Sequence, residues 1–221
     1  MKVELLFPEI ANQFGDLGNM RYLARCLPQA EFCDTHLGEE PRFLREPVNL
    51  VYLGPMSEQG QEKVLEVLRP HRFALQKQLQ EGTPFLFTGN ALELLGERIE
   101  NEDGTRVEGL GLFPLTARRD MLHRHNSIFL GSFEGEPVMG YKSQFTMAYP
   151  GDKSLGLFLR ERGVGLNPRC PFEGVRVQNF FGTYLLGPLL INNPPFTRYL
   201  LRTMGAGHAA LAFEKEVQAA Y

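Results

Sequence analysis

The chain has 221 residues, of which 43% are hydrophobic, so it can bury a sizeable core, and we expect one domain over residues 1–221. The 23 basic and 26 acidic side chains give a formal net charge of -3, which argues against a surface that neutralises many phosphates and hence against a nucleic-acid partner. The N-terminal stretch reaches Pro8 too soon to form the core of a signal peptide, and no apolar run is long enough to span a bilayer, so we expect a cytoplasmic protein without a membrane span.

The first half of the chain alternates between short apolar runs and stretches in which apolar residues have helical spacing. The apolar runs predict strands at residues 2–7, 30–35, 48–53 and 84–88. The helical spacing predicts helices at residues 19–27, 57–68 and 73–80, the second of them with Ser57 as its N-cap. Because alternating strands and helices imply right-handed crossovers, we expect an α/β fold with a mostly parallel central sheet, helices on both faces and an antiparallel extension.

The second half of the chain has the features of antiparallel structure. Asp103-Gly104 is a strong signal for a hairpin turn. Further strands are expected at residues 128–133, 138–146, 175–179 and 182–190. The segment 149–171 is rich in Gly, Pro, Arg and Lys, which predicts an excursion over the surface. Helices are expected at residues 196–204 and 209–220.

A tight turn joins the strand at residues 84–88 to a run of helix formers at residues 91–95. The turn itself is Gly89-Asn90, and these two residue types tolerate a left-handed backbone best. In α/β enzymes such a turn is the nucleophile elbow, which raises a Ser or Cys above the sheet and points the next backbone N–H at the oxyanion. Here the turn has the position of an elbow but no Ser or Cys.

The three cysteines lie away from this turn, at Cys26, Cys33 and Cys170. Their number and spacing fit neither a disulfide framework nor a thiolate metal site, so we expect reduced thiols in a reducing compartment. We expect no metal and no cofactor.

Three stretches of the chain, in this order, resemble the signatures of one family. Residues 12–19 read Asn-Gln-Phe-Gly-Asp-Leu-Gly-Asn, which is similar to the family's Asn-x-Tyr-Gly-Asp-x-Gly-Asn, and residues 89–96 stand where the family has Cys-Gly-Gly-Tyr-Gln-Leu-Leu-Gly. Residues 182–190 resemble Gly-Thr-Tyr-Leu-His-Gly-Pro-Leu-Leu, followed here as in the family by Asn-Pro. The chain is thereby identified as a member of the cobyric-acid-synthase-like (CobB/CobQ-like) branch of the class I glutamine amidotransferases, most similar to the GatD-type glutaminase subunits of lipid II isoglutaminyl synthase.

The resemblance implies a three-layer, flavodoxin-like fold and an activity in which a Cys thiolate attacks the glutamine amide while a His acts as base and acid. At the matching positions this chain has Gly89 in place of the Cys and Leu186 in place of the His. Glycine has no side chain, and leucine cannot transfer a proton. The resemblance therefore implies the family's fold without its catalytic pair, and we expect no catalytic residue.

Two further departures from the family pattern favour the same conclusion. Gly54-Pro55 stands where the branch often has a Gly-rich turn that supplies an oxyanion donor, and proline has no N–H to donate. Lys142, Ser143 and Gln144 stand where a strand of the family bears Glu, Asn and His. Because losing one catalytic residue costs nearly as much as losing all of them, a lineage that has lost one can drift at the others.

Asp16 is retained from the family pattern and has two possible roles. Its family counterpart helps to orient the His or to hold the loop, or Asp16 caps the helix that starts near Asn19, and with Leu186 in place we favour the cap. The same motifs could line a ligand pocket at the carboxyl ends of the strands, or could only shape turns. The candidate ligand-binding residues are Asn12, Gly15, Asp16, Asn19, Gly54, Asn90, Thr183 and Tyr184.

The sequence therefore predicts a glutamine-amidotransferase-like protein with a degenerate site, that is, a pseudoenzyme. By resemblance, its partner is a Mur-ligase-like or other synthetase subunit, and a glutamine-like small ligand could bind in the vestigial pocket. The alternative is an active glutaminase subunit with displaced catalytic residues, which would supply ammonia for amidation of the peptidoglycan precursor lipid II or for cobalamin-type synthesis.

Overall fold

A computed structural model describes all 221 residues, with thirteen strands and six α-helices. The strands are β1 (Lys2–Leu6), β2 (Glu31–Thr35), β3 (Leu50–Leu53), β4 (Phe85–Thr88), β5 (Arg98–Glu100), β6 (Arg106–Glu108), β7 (Leu115–Arg119), β8 (His125–Phe133), β9 (Glu136–Gln144), β10 (Thr146–Pro150), β11 (Gly156–Arg162), β12 (Phe172–Val177) and β13 (Phe180–Thr183). The helices are α1 (Gly18–Cys26), α2 (Glu58–Leu68), α3 (Arg72–Gln80), α4 (Leu189–Asn192), α5 (Pro194–Thr203) and α6 (Glu214–Ala220).

A nine-stranded mixed sheet forms the centre of the fold, in the order β2-β1-β3-β4-β13-β12-β11-β8-β9. The pairings from β2 to β13 are parallel, and those from β13 to β9 are antiparallel. The predicted α/β fold with an antiparallel extension is therefore confirmed, and the extension supplies half of the pairings. The carboxyl ends of β1, β3, β4 and β13 meet at one edge, which is where open α/β sheets place their ligand sites.

Helices cover both faces of the parallel half of the sheet. Its strands are accordingly apolar at successive positions, since the side chains on both faces are buried. Phe85 and Phe87 of β4 point to one face, together with residues of α2 and α3, while Leu86 between them points to the other face, with residues of α1, α4 and α5. Ser57 accepts a hydrogen bond from the N–H of Gly60 (3.1 Å) at the start of α2, so the predicted N-cap is confirmed. None of the helices combines the length and the apolar character that crossing a bilayer requires.

A second, four-stranded sheet has the order β10-β7-β5-β6 and packs on the α2 side of the large sheet. Its β5 and β6 are antiparallel neighbours, and the turn between them holds Asp103 and Gly104, with Gly104 at φ +82°. The predicted hairpin is therefore confirmed. The strand β7, which the sequence analysis did not predict, lies between β10 and β5.

The prediction for residues 149–171 is wrong in its central part. The segment contains β11, which lies inside the nine-stranded sheet between β12 and β8. Leu157 and Phe158 of this strand are buried, although Gly, Lys and Arg residues surround them in the sequence. The composition of the whole segment concealed a short buried strand.

Three predicted element boundaries or types also differ from the structure. The strand predicted for 182–190 ends at Thr183, and the chain then passes through Gly187 at φ +82° to Pro188, which precedes α4. The helix predicted for 209–220 begins at Glu214, after Phe213 in a left-handed conformation. The helix predicted for 91–95 belongs to a 3-10 helix over Gly89–Leu95. That residues 1–221 form one domain stays a prediction.

Candidate ligand cleft at the strand-to-helix turn

The turn after β4 is closed by the loop that follows β3. Gly89 has φ +59°, a left-handed conformation that glycine adopts without strain. Pro55 packs directly against it, so that a Cβ placed on Gly89 would overlap the Cβ of Pro55 and lie 3.2 Å from its Cα. A side chain at position 89 would therefore require Pro55 to move.

Asn90 fixes the same loop with two hydrogen bonds. Its Oδ1 accepts from the N–H of Met56 (3.0 Å), and its Nδ2 donates to the carbonyl oxygen of Met56 (2.8 Å). The N–H of Met56 is thus already bonded, and Pro55 has none, so neither residue presents a free backbone donor at the turn. We refer to Gly89, Asn90, Pro55 and Met56 as the closed turn.

Asp16 is buried behind the closed turn, where its carboxylate connects the loop after β1 to two strands. Its Oδ2 accepts hydrogen bonds from the hydroxyl groups of Tyr52, near the end of β3, and Thr88, at the end of β4. The predicted helix cap is wrong, because the N-cap residue of α1 is Leu17 and no side chain caps that helix. Burial raises the pKa of Asp16, and the two hydroxyl donors oppose the increase. Asp16 therefore holds the carboxyl ends of β3 and β4 together.

A second buried carboxyl group, Glu93, lies in the 3-10 helix of the turn. Its Oε1 accepts from the hydroxyl of Tyr184 (2.8 Å), and its Oε2 accepts from Nε2 of Gln61 on α2 (2.9 Å). Gln61 also donates to the carbonyl oxygen of Asn90 (2.8 Å) and accepts from Arg119 on β7 (2.9 Å). Burial raises the pKa of Glu93 to about 7. A group that titrates near neutral pH thus connects α2, the closed turn and the segment after β13.

A buried ion pair continues this arrangement toward β9. The ammonium group of Lys142 donates to the carbonyl oxygen of Gly165 (2.5 Å) and lies 3.9 Å from Oε1 of Glu173, and both ionisable side chains are fully buried. Glu173 accepts from the backbone N–H of Tyr184 (2.9 Å). Burial lowers the pKa of Lys142 and raises the pKa of Glu173. We refer to Glu93, Tyr184, Glu173 and Lys142 as the buried network.

A cleft of about 110 Å³ opens between the closed turn and the end of β9. Of the family positions and predicted ligand residues, seven line it: Pro55, Gly89, Asn90, Ser143, Gln144, Tyr184 and Leu186. The lining includes two carboxyl groups and one guanidinium group but neither a cysteine nor a histidine. Its other residues are Gln13, Phe14, Met56, Glu58, Glu93, Arg124, Phe145 and Thr146.

The remaining predicted ligand residues lie in the scaffold around the cleft. Asn12 accepts from the N–H of the α1 N-cap residue (3.1 Å), and Asn19 is buried, with its amide donating to the carbonyl oxygen of Asp16 before α1 and accepting from a backbone N–H of α4. Thr183 donates to the carboxylate of Glu173 in the buried network. Gly15 shapes its turn with φ +70°, and Gly54 packs so closely on the loop after β1 that a Cβ would overlap a backbone carbonyl there.

Sequence reasoning missed the buried network. A local signal for Glu93 was present, since it is the single charged residue within the apolar run Ala91–Leu95, and a charge in such a run is either exposed or satisfied by buried partners. The contact of Pro55 with Gly89 has no local signal, because the two residues are far apart in sequence. The sequence analysis noted Pro55 only for its missing N–H.

The model of one protein family, described as the CobB/CobQ-like glutamine amidotransferase domain, matches residues 2–194. The chain belongs to this family. The predicted family membership is therefore confirmed, and the closed turn and the cleft both lie within the matched residues.

Curated relatives of this CobB/CobQ-like chain include two proteins named lipid II isoglutaminyl synthase (glutamine-hydrolyzing) subunit GatD. The protein from Staphylococcus aureus is 24% identical over 192 residues, which cover 86% of this chain and 78% of the relative. The protein from Streptococcus pneumoniae is 23% identical over 212 residues, which cover 92% of this chain and 80% of the relative.

Solved structures support the same fold. A crystal structure of a glutamine amidotransferase aligns with a TM-score of 0.61 at 15% identity, covering 91% of this chain and 98% of the other. A glutamine amidotransferase from Thermotoga maritima aligns with a TM-score of 0.58 at 14% identity, covering 100% of this chain and 94% of the other. The predicted class I glutamine amidotransferase fold is confirmed.

Proposed function

We propose that this chain is a non-catalytic subunit with a glutamine amidotransferase fold, which binds a Mur-ligase-like or other amide-forming enzyme. The observation that carries the proposal is the contact of Pro55 with Gly89. A covalent nucleophile at an elbow needs a side chain, and at position 89 the space for its first carbon is occupied by Pro55. Leu186, on the other side of the cleft, offers no group that could act as a base.

The loop residues that pack on the turn offer no free donor for an oxyanion. The N–H of Met56 bonds Asn90, and Pro55 has no N–H. An oxyanion that used the N–H of Met56 would therefore have to displace an amide side chain that makes two hydrogen bonds with the loop. This supports a turn that has been reshaped for packing rather than for charge stabilisation.

The three cysteines and Thr88 are poorly placed for the family reaction, and the hydroxyl groups that do line the cleft, those of Ser143 and Thr146, have no histidine in the lining to act as their base. Cys26, Cys33 and Cys170 are all buried, and none of them lines the cleft. Burial raises the pKa of Cys26 and of Cys33, whereas an active thiolate needs its pKa lowered. The hydroxyl of Thr88 donates to Asp16 and does not line the cleft either.

The partner and pathway in this proposal come from the relatives. Both GatD proteins are named as subunits of lipid II isoglutaminyl synthase, so we infer a partner that forms an amide on a peptidoglycan precursor, in the cytoplasm. The cleft of about 110 Å³ would hold a glutamine-like small molecule without reacting with it.

The alternative function is that of an active glutaminase subunit supplying ammonia to the same kind of partner. Its support is the name of the two relatives, which describes their synthase as glutamine-hydrolyzing. It would require a nucleophile other than the residue at position 89.

The decisive experiment measures ammonia release from glutamine by the purified chain, alone and with its Mur-ligase-like partner. We expect no release above background. Gly89→Cys should also be inactive, and it should lower the free energy of unfolding by about 1–3 kcal/mol, because its Cβ overpacks against Pro55. Adding Pro55→Gly should recover part of that loss, and adding Leu186→His to this pair is the smallest change that could restore hydrolysis.

Two results would overturn the proposal. The first is ammonia release that co-purifies with the wild-type chain through successive columns. The second is covalent labelling of the wild-type chain by a glutamine-like electrophile, with the modified residue located by mass spectrometry. The Gly89→Cys variant, treated in the same way, shows whether a thiol introduced at the turn is labelled without hydrolysis of glutamine.

A further inference from the structure

The antiparallel end of the large sheet exposes a continuous apolar surface. Five large apolar side chains are exposed there: Ile128 (66%), Leu130 (38%), Met139 (41%), Tyr141 (46%) and Leu159 (61%). We refer to these five residues as the β8–β9 face. They come from β8, β9 and β11, which are neighbours in the sheet.

The strand register places these side chains side by side. Ile128 pairs with Tyr141, and Leu130 pairs with Met139, and because paired residues point to the same side of a sheet, the four form one block. Leu159 pairs with Ser132, the next outward position of β8, and extends the block onto β11.

The opposite side of the same strands shows that the exposure is not a general property of this region. Phe129, Phe133 and Val138, which alternate with the exposed residues, are buried in the core. The two strands therefore have apolar residues on both sides, as a strand does when both of its faces are covered. Isolated apolar residues are common on protein surfaces, but contiguous apolar patches of this kind mark interaction sites.

The charges at the border of the face indicate what would cover it. Arg162 pairs with Leu130 and is exposed, and Arg124 precedes β8 with its guanidinium group over the ring of Phe145 (4.3 Å). Neither arginine forms an ion pair. The outward positions of β8 and β9 from 126 to 132 and from 137 to 143 carry no acidic side chain. The matching surface is therefore apolar and bordered by carboxylates.

We propose that the β8–β9 face is the docking surface for the amide-forming partner, which contacts it with an apolar patch bordered by acidic side chains. This inference rests on the proposed function, whose partner it assigns to one surface of the chain. Burial of the five side chains would supply the contact energy, and Arg162 and Arg124 would set the orientation of the partner.

A second copy of this chain matches the surface less well. A two-fold contact would bring the same face against itself, and with it the same unpaired arginines, without acidic residues among the outward positions of β8 and β9 to meet them. Like charges placed together across an interface reduce affinity. Self-association is therefore the competing outcome of the test rather than its expected result.

The test uses the full-length chain and the purified Mur-ligase-like protein of the same organism, with the dissociation constant measured by calorimetry. Ile128→Glu should weaken binding at least about tenfold, since it places a charge in the centre of an apolar contact. Arg162→Glu should weaken binding more at low salt than at high salt, because border charges are screened. Phe73→Glu is the matched control: Phe73 is 77% exposed on α3, away from the face, and its replacement should leave affinity unchanged.

The outcomes separate this inference from the proposed function. Wild-type affinity in Ile128→Glu, with an unchanged circular dichroism spectrum and melting temperature, would overturn the docking surface and leave the partnership intact. No binding by the wild-type chain would overturn both. A wild-type dimer in analytical ultracentrifugation that Ile128→Glu dissociates would assign the face to a second copy instead. Ammonia release is measured separately, so catalysis is tested independently of docking.

Discussion

The closed turn and the buried network lie on adjacent sides of one cleft, but they hold their polar groups in different ways. In the closed turn the groups are neutral: a glycine packs on a proline, and an amide side chain bonds a backbone peptide group. In the buried network the groups are ionisable, and Glu93, Glu173 and Lys142 are connected through Tyr184 or to one another. A change in the turn removes contacts, whereas a change in the network leaves a buried ionisable group without its partner.

This difference separates the residues that stabilise the cleft from the residues that decide whether it can be catalytic. The network joins α2, the turn, β12 and β9, so the structure around the cleft depends on it whether or not the cleft has chemistry. The turn determines whether a nucleophile could exist at all. A lineage can therefore lose its reaction at the turn while the network keeps the shape of the cleft, and the predictions below test this division.

The largest effect is expected from removing the buried cation. Lys142→Met should lower the free energy of unfolding by about 3–5 kcal/mol, because it leaves Glu173 buried without its cation and the carbonyl oxygen of Gly165 without its donor. Denaturant unfolding at neutral pH measures the change.

Two controls define the origin of that loss. Lys153→Met removes an exposed lysine that forms no ion pair, and it should change stability by no more than about 0.5 kcal/mol. The double variant Lys142→Met with Glu173→Gln should be more stable than Lys142→Met alone, because an amide is less costly to bury than an unpaired carboxylate. If the double variant loses more than the single one, the destabilisation arises from packing and not from the broken ion pair.

The next effect is a pH dependence of stability from Glu93. Its pKa in the folded protein, about 7, lies above the ordinary value of 4.5, so the native state holds the proton more tightly than the unfolded state does. The contribution of Glu93 to stability is therefore complete below pH 4.5 and is lost as the pH rises toward 7. The free energy of unfolding of the wild type, relative to Glu93→Gln, should fall across this interval by an amount on the order of 3 kcal/mol.

Chemical denaturation at a series of pH values measures this difference. Glu66→Gln, which removes an exposed negative charge from α2, is the control for a general effect of net charge. Parallel pH profiles for the wild type and Glu93→Gln would mean that Glu93 does not titrate in this range, and the buried network would then have to be described without it.

The sequence predicted the regular parts of this fold and the positions of the turn well, for an identifiable reason. Strands such as β3 and β4 are almost entirely apolar, and Ser57 starts α2 with a standard cap, so local patterns were sufficient. The strand β11 was missed because a buried stretch of two or three residues lies within a segment rich in charged residues and glycine. Local composition does not report which strands a segment will pair with.

For the cleft, the sequence located the strand-to-helix turn but did not predict that the loop after β3 packs against it. Gly89 and Asn90 were recognised from the pattern of strand, turn and helix, whereas the packing of Pro55 on Gly89 and the bonds from Asn90 to Met56 join residues more than thirty positions apart. The role of Asp16 was mistaken because a nearby helix start is a local explanation, and its actual partners, Tyr52 and Thr88, become neighbours only when the strands pair.

The smallest effect, and the most direct test of the turn, is expected from Asn90→Ala. The substitution removes both hydrogen bonds to Met56 and should lower the free energy of unfolding by about 1–2 kcal/mol, less than a change in the buried network, because the lost groups are neutral and only partly buried. Asn12→Ala, which removes one exposed hydrogen bond, should cost no more than about 0.5 kcal/mol and serves as the control. Asn90→Ala also frees the N–H of Met56, yet ammonia release should remain at background, since a free donor cannot replace the missing nucleophile at Gly89. Hydrolysis gained by Asn90→Ala alone would mean that the closed turn restrains an existing nucleophile, and the non-catalytic function would have to be abandoned.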